Sequence, residues 1–350
     1  MLRSESESIA RFDQFIAPVR DMAPSVEDAV RIRDAFASGG NVAKMRELRS
    51  EITDPLGKKL VEWQLLRNGA GSAREIRAFA EANPDWPNRD LLFQRAEEQL
   101  FASGGAASDI KAFFKGGEPR TSMGEAALAS AHLVENNEAA AAKLASKVWR
   151  DGDIPTSLET GFIERFGKLL TEADHKWRLD RLLADDGRYE AERRDRAAVI
   201  RRVIPFLPPA EQAKAQARLA VYMRTADADK LLGALPADAA TAPTADWGFA
   251  LQLSQWHRRA GRIKDAAAIL KDAPAETEKI VSPDDWWEER RVTAYELLKT
   301  GDYATAYEIV RAPGDLSVNP RKDAAFLAGW IALKHLGKAE EALKHFRDLE

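Results

Sequence analysis

Apolar residues recur along this chain at helical rather than strand spacing. In Trp247–Trp256, Trp247 pairs with Leu251, while Phe249 lines up with Leu253 and Trp256 on an adjoining stripe. In Arg321–Leu336, the set Phe326, Leu327, Trp330 and Ile331 follows i, i+1, i+4, i+5, which predicts a broad buried face. Ala is abundant, alternating Val/Ile/Thr is nearly absent, and no run reads as a strand. The pattern therefore predicts an all-α fold.

Helix starts agree with this. Ser282-Pro283-Asp284-Asp285 offers a Ser N-cap, Pro at the first helical position and Asp three residues after the cap. Asn319-Pro320 repeats the cap-plus-Pro device, and Ser25 with Asp28 marks another start. Pro84, Pro87, Pro205, Pro208, Pro209, Pro236, Pro243 and Pro274 fall between periodic segments, where Pro costs least. Upstream, helices are expected over Asp90–Phe101, with Leu91, Leu92, Ala96, Gln99 and Leu100 inward, and over Glu159–Leu170, His175–Ala184 and Ala191–Val203.

The last third of the chain repeats itself. Gly261-Arg-Ile-Lys-Asp-Ala266, Gly301-Asp-Tyr-Ala-Thr-Ala306 and Gly337-Lys-Ala-Glu-Glu-Ala342 align without gaps, their glycines 40 and 36 residues apart. Gly can end a helix in the left-handed conformation at no steric cost, and a small residue five positions on lets the next helix approach closely. This is the tetratricopeptide type of helix hairpin. Such hairpins cannot bury their faces alone, so the expected architecture is a superhelical solenoid, curved or partly ring-shaped. Gly187-Arg188-Tyr189 marks a further turn, and Ala234–Thr244 is a Pro/Ala-rich loop too short for a domain boundary. The organisation expected is a polar, loose segment over 1–20 and a single α-superhelical domain over 21–350.

Composition then removes several classes. At 45% apolar the chain is too hydrophobic to be disordered. Its 52 basic and 56 acidic residues leave a net charge of −4, with no sequence-wide nucleic-acid footprint, so no nucleic acid is expected as partner. No stretch approaches the ~18 apolar residues of a membrane span. The absence of cysteine excludes disulfides, thiolate metal sites and Cys nucleophiles. Arg3, Glu5, Glu7, Arg11, Asp13 and Arg20 interrupt the start of the chain, which does not read as a signal peptide. The expectation is a cytoplasmic chain, or a mature one whose leader has been removed.

No catalytic constellation emerges. His132, His175, His257, His335 and His345 form no pair at ligand spacing, there is no phosphate loop, and no Gly-x-Ser-x-Gly elbow occurs. No catalytic, metal or cofactor-binding residue is assigned, and no cofactor is expected. Two features stand out. In Trp286-Trp287-Glu288-Glu289-Arg290-Arg291 the adjacent Trp rings point about 100° apart on a helix, so one can enter the core while the other meets a neighbouring repeat, a second domain or a sugar face. Packing is the favoured reading; Trp286, Trp287, Arg290 and Arg291 are the candidates for ligand or domain contact. The second feature is the run Arg188, Arg193, Arg194, Arg196, Arg201 and Arg202, interleaved with Glu190, Glu192 and Asp195, which reads as a solvated helix face laced with ion pairs.

Five stretches together resemble a known family. They are Pro84-Asp-Trp-Pro87 with the following helix and its Arg95-Ala-Glu97; Trp149-Arg-Asp-Gly152 leading to Glu164-Arg-Phe-Gly167; Leu170-Thr-Glu-Ala-Asp-His175 with Arg178-Leu-Asp-Arg-Leu-Leu183; Trp286 to Arg291; and Phe326-Leu-Ala-Gly-Trp-Ile-Ala-Leu333. In order and spacing they look like the ring-forming helical portion of a soluble lytic murein transglycosylase of the alphaproteobacterial type. The resemblance implies a periplasmic protein that acts on peptidoglycan. Such enzymes cleave the MurNAc–GlcNAc bond without water and leave 1,6-anhydro-MurNAc. Their catalytic Glu, followed by Ser, lies in a separate lysozyme-like domain. Here Glu-Ser occurs only as Glu5-Ser6 and Glu7-Ser8, with no Gly-Leu-Met-Gln run after it, so no catalytic residue is carried over and the chain alone is expected to be inactive.

A solenoid normally ends in a helix with a polar outer face. The last hairpin keeps its apolar Leu343 and Phe346, so a C-terminally truncated chain is expected, its partner being the missing catalytic domain. The leading function is then a non-catalytic scaffold that positions glycan strands. The alternative is a tetratricopeptide-like adaptor for proteins.

Overall fold

The computed structural model describes residues 6, 9–10, 14, 23–236, 246–276 and 279–349. Most of the polar 1–20 segment and residues 237–244 of the Pro/Ala-rich loop lie outside the described residues. Every described secondary-structure element is helical, as the apolar spacing predicts; there is no strand among the described residues. They group into two compact units, one within Met1–Val148 and Gly152–Gly167, the other within Trp149–Asp151 and Lys168–Glu350.

The first unit contains α1 (Val26–Ala37), α2 (Val42–Glu51), α3 (Pro55–Arg67), α4 (Ala73–Ala82), α5 (Arg89–Ser103), α6 (Ala107–Phe113), α7 (Ser122–Val134), most of α8 (Glu138–Asp151) and α9 (Thr156–Phe166). The second contains α10 (Glu172–Ala184), α11 (Glu190–Val203), α12 (Pro209–Met223), α13 (Ala228–Gly233), α14 (Trp247–Arg259), α15 (Ile263–Asp272), α16 (Pro283–Lys299), α17 (Tyr303–Val310), α18 (Val318–Lys334) and α19 (Ala339–Arg347).

The three aligned segments all become hairpin turns. Gly261, Gly301 and Gly337 have φ of +75°, +81° and +65°, the region in which Gly alone is unstrained. In the first two, the amide two residues past the C-cap reaches back to the last turn, Arg262 N to His257 O at 2.9 Å and Asp302 N to Leu297 O at 3.0 Å. The third turn is one residue looser, with Lys338 N bonded to Ala332 O at 2.9 Å. Ala266, Ala306 and Ala342 are buried where α15, α17 and α19 press on α14, α16 and α18. The first helix of each hairpin also packs on the first helix of the next, α14 on α16 and α16 on α18; in the first unit α1, α3, α5 and α7 contact one another in the same succession.

A second device joins these successive helices. Helix starts leave amides unsatisfied, and a carboxylate is their strongest acceptor. Asp28 of α1 accepts from Thr53 N at 3.0 Å, Thr53 Oγ1 at 2.7 Å and Asp54 N at 2.8 Å, just ahead of α3. Glu97 of α5 does the same for Arg120 N and Thr121 N at 2.9 and 2.8 Å, ahead of α7. Asp284 of α16 accepts from Ser317 N at 3.1 Å, the N-cap of α18.

Several expectations need correction. The face of Phe326, Leu327, Trp330 and Ile331 is split: Leu327 and Ile331 are buried, whereas Phe326 and Trp330 are 54% and 38% exposed. The two pairs lie about 100° apart: Leu327 and Ile331 face the neighbouring helices, whereas Phe326 is met by the tilted Phe346 ring at 6.4 Å and Trp330 by His335 at 4.8 Å, which leave both partly open. Asn319 is not a cap, because α18 begins at Val318 with Ser317 before it. Ser282 does precede α16, but its backbone is left-handed and its hydroxyl donates to the Asp285 carboxylate instead of accepting from an amide. Ser25 caps as expected, accepting from Asp28 N at 3.1 Å. The inward side of α5 also includes Phe93, Glu97 and Phe101. The helix expected over Glu159–Leu170 spans Thr156–Phe166, followed by a 3-10 turn to Leu169.

Candidate docking face

The tryptophan pair of α16 is taken up by packing. Trp286 and Trp287 are 1% and 2% exposed, so both rings lie inside the second unit. Trp286 meets the Trp247 ring edge-on at 6.1 Å, and Trp287 Nε1 donates to Asp323 Oδ2 at 3.2 Å. Arg290 is equally buried. Its guanidinium donates to Ile309 O at 2.8 Å and Ala273 O at 3.3 Å, satisfying carbonyls at the ends of α17 and α15. Burial without a carboxylate partner lowers its pKa to about 10. Arg291 alone is accessible, and it is paired with Glu288 at 2.6 Å. Of the four sequence candidates, then, only Arg291 presents a side chain to solvent.

The arginine-rich run is mostly the solvated face expected: Arg194 pairs with Glu190 and Arg196 with Asp185. Arg193 departs from it, being buried with Nη1 on Gly187 O at 2.9 Å. Beneath this helix, Asp186 receives Arg224, Arg258 and Arg259, and the buried Glu289 is held bidentately by Arg258 at 2.9 Å. Burial pushes the Glu289 carboxyl up, against the pull of Arg258. These charges answer one another in a single network.

A partly open apolar surface lies on α16 and α18. A groove of about 630 Å³ is lined by Val292, Tyr295, Glu296, Lys299, Trp330 and His335. His335 forms its end wall, stacked on Tyr303 at 4.1 Å and edge-on to Trp330 at 4.8 Å. Beside the groove, Phe326, Trp330 and Leu333 follow i, i+4, i+7 on α18 and are all exposed. A contiguous apolar face of this kind marks an interaction site more often than isolated exposed residues do. The sequence places these residues in the core because a helix apolar over two adjoining stripes gives no sign of which stripe its neighbours cover.

Among the described residues no group of His, Asp and Glu converges to hold a metal ion, and no helix is long and apolar enough to cross a membrane. No protein-family model, curated protein or solved structure matches the chain.

Proposed function

We propose that this chain is the non-catalytic helical scaffold of a soluble lytic transglycosylase, a stack of tetratricopeptide-like hairpins that holds peptidoglycan glycan strands in the periplasm. The MurNAc–GlcNAc bond is cut, with formation of the 1,6-anhydro sugar, by a separate lysozyme-like domain. The observation that supports the reading is where the resembling stretches sit. Trp86 packs edge-on against Phe79 at 5.4 Å and Trp63 at 6.1 Å. Arg178 lies over the Trp149 ring at 4.3 Å and donates to Trp149 O at 2.7 Å. Trp286 and Arg290 tie α16 to α14, α15 and α17, and Gly329 receives the Phe346 ring. Each stretch fixes a helix joint, which is what a family whose helical part is a scaffold would retain.

Co-sedimentation with purified sacculi tests the holding role, and mass spectrometry of the supernatant tests the chemistry. Retention without release of anhydro-muropeptides is the expected result. Release by this chain alone would overturn the assignment of cutting to another domain; loss of retention would overturn the glycan role. The exposed Phe326–Leu333 stripe favours a second reading, a helical adaptor for a protein partner, which predicts no retention.

A further inference from the structure

We propose that the α16–α18 groove and the adjoining stripe are a docking site for an amphipathic helix whose apolar side is flanked by acidic residues. The inference goes beyond the scaffold reading and stands on the geometry and charge of this face alone. The geometry supplies the apolar part. Phe326, Trp330 and Leu333 form one line along α18, Tyr295 faces the same groove from α16, and each is more than a third exposed.

Charge supplies the rest. Lys322 and Lys334 lie on the same i, i+4 line, one at each end of the stripe, both exposed. Neither has an ion-pair partner among the described residues, whereas Lys299 in the groove already pairs with Glu296 at 2.7 Å. An incoming helix with Asp or Glu one turn outside its apolar residues would meet both lysines. A second copy of this chain would not. Packing the stripe of α18 against itself in antiparallel fashion about Ala328, which matches Phe326 with Trp330, sets Lys322 opposite Lys334, and in parallel fashion sets each lysine against itself. A glycan strand fits less well too, since each sugar hydroxyl taken from water needs a polar partner and the groove wall is mostly carbon.

The probe is a labelled synthetic helix with Leu at i, i+4 and i+7 and Glu one turn outside on each side, titrated into the full chain by fluorescence anisotropy. Its control carries Lys in place of Glu. The acidic peptide should bind at least about tenfold more tightly than the control, and about tenfold more weakly to Trp330→Glu or Phe326→Glu. Binding should also weaken with added salt and with K322E/K334E. Circular dichroism of each variant checks that the fold is kept, and K322E/K334E, at exposed lysines with no ion-pair partner among the described residues, tests the docking without touching a packed ring. Equal binding of the two peptides, no binding, or binding indifferent to Trp330→Glu would each overturn the proposal. So would a concentration-dependent dimer that Trp330→Glu abolishes, or sacculus retention lost with Trp330→Glu in the absence of peptide binding. Sacculus retention is read separately: peptide binding without it would leave the face intact and sink the glycan role.

Discussion

Glu97 holds Thr121 by two hydrogen bonds, from its amide at 2.8 Å and its hydroxyl at 2.6 Å, and so fixes where α7 starts against α5. The contact has shaped the neighbouring sequence. A Cβ on Gly124 would fall 2.3 Å from Glu97 Oε2, so this helical position is Gly although Ala is the better helix former. Two outcomes follow. Glu97→Gln should cost about 1.5–3 kcal/mol, the usual worth of hydrogen bonds to a charged group. Gly124→Ala, which in an open helix gains about 1 kcal/mol, should destabilise instead. Urea denaturation of both variants and of the double variant measures this, and the two costs should be strongly non-additive because they break the same contact.

The hairpin glycines give a cleaner test, because nothing among the described residues stands within 4 Å of a Cβ placed on Gly261, Gly301 or Gly337. Substitution there carries only the conformational cost of a left-handed Ala, about 1–2 kcal/mol. Gly301→Asn should cost less than Gly301→Ala, since Asn tolerates that region. Equal stabilities would show that the turn relaxes to another backbone geometry. Overfilling the other half of the motif should be worse for a different reason: Ala306→Leu forces side chains into a closed interface, at about 1–3 kcal/mol.

These positions also show what can be read from one sequence. The Gly and Ala of the hairpins are legible because their demands are local: a backbone sign at one residue and a small volume five residues later. The two stripes of α14 are legible for the same reason, and they feed two different core clusters, Leu251 one and Phe249 with Leu253 the other. The carboxylate caps are not legible. Asp28 and Thr53 are 25 residues apart, and in a chain with 56 acidic residues no local pattern separates Asp28 from its solvated neighbours. The docking face fails in a third way. Phe326 and Leu327 are equally apolar, and only the position of α16, α17 and α19 decides that Leu327 is buried while Phe326 stays more than half exposed.

Arg290 has no counter-ion among the described residues, so its role can be divided into volume, charge and hydrogen bonding. Arg290→Ala removes all three, leaves the carbonyls of Ile309 and Ala273 without their donor, and should cost about 2–5 kcal/mol. Arg290→Met keeps most of the volume and withdraws a buried charge, which offsets part of the loss. It should cost less than half as much as Ala. Thermal melts of the two variants decide this, and a Met variant as unstable as Ala would mean that the carbonyl bonds dominate.

Asp246 ties stability to pH. It caps α14, accepting from Phe249 N at 3.1 Å, and also receives Lys176 at 2.9 Å and Lys214 at 2.7 Å. Burial alone would raise its pKa, but Arg218 and Lys176, with the hydrogen bonds from both lysines, hold the carboxyl well below the usual carboxylate range. A folded-state pKa below the unfolded value of about 3.9 means stability that is complete above that value and lost as pH falls toward the folded one. Asp246→Asn keeps the cap, since Asn serves an N-terminus as well as Asp does, and removes only the charge. At pH 7 the variant should be less stable by about 1–3 kcal/mol. The gap should narrow progressively as pH falls below about 5, because the carboxylate that the variant lacks is protonated in the parent's unfolded chain long before it is protonated in the folded one. Urea titrations of both chains at neutral and acid pH measure the difference directly. A gap that stays constant would place the effect in the hydrogen bonds rather than the charge.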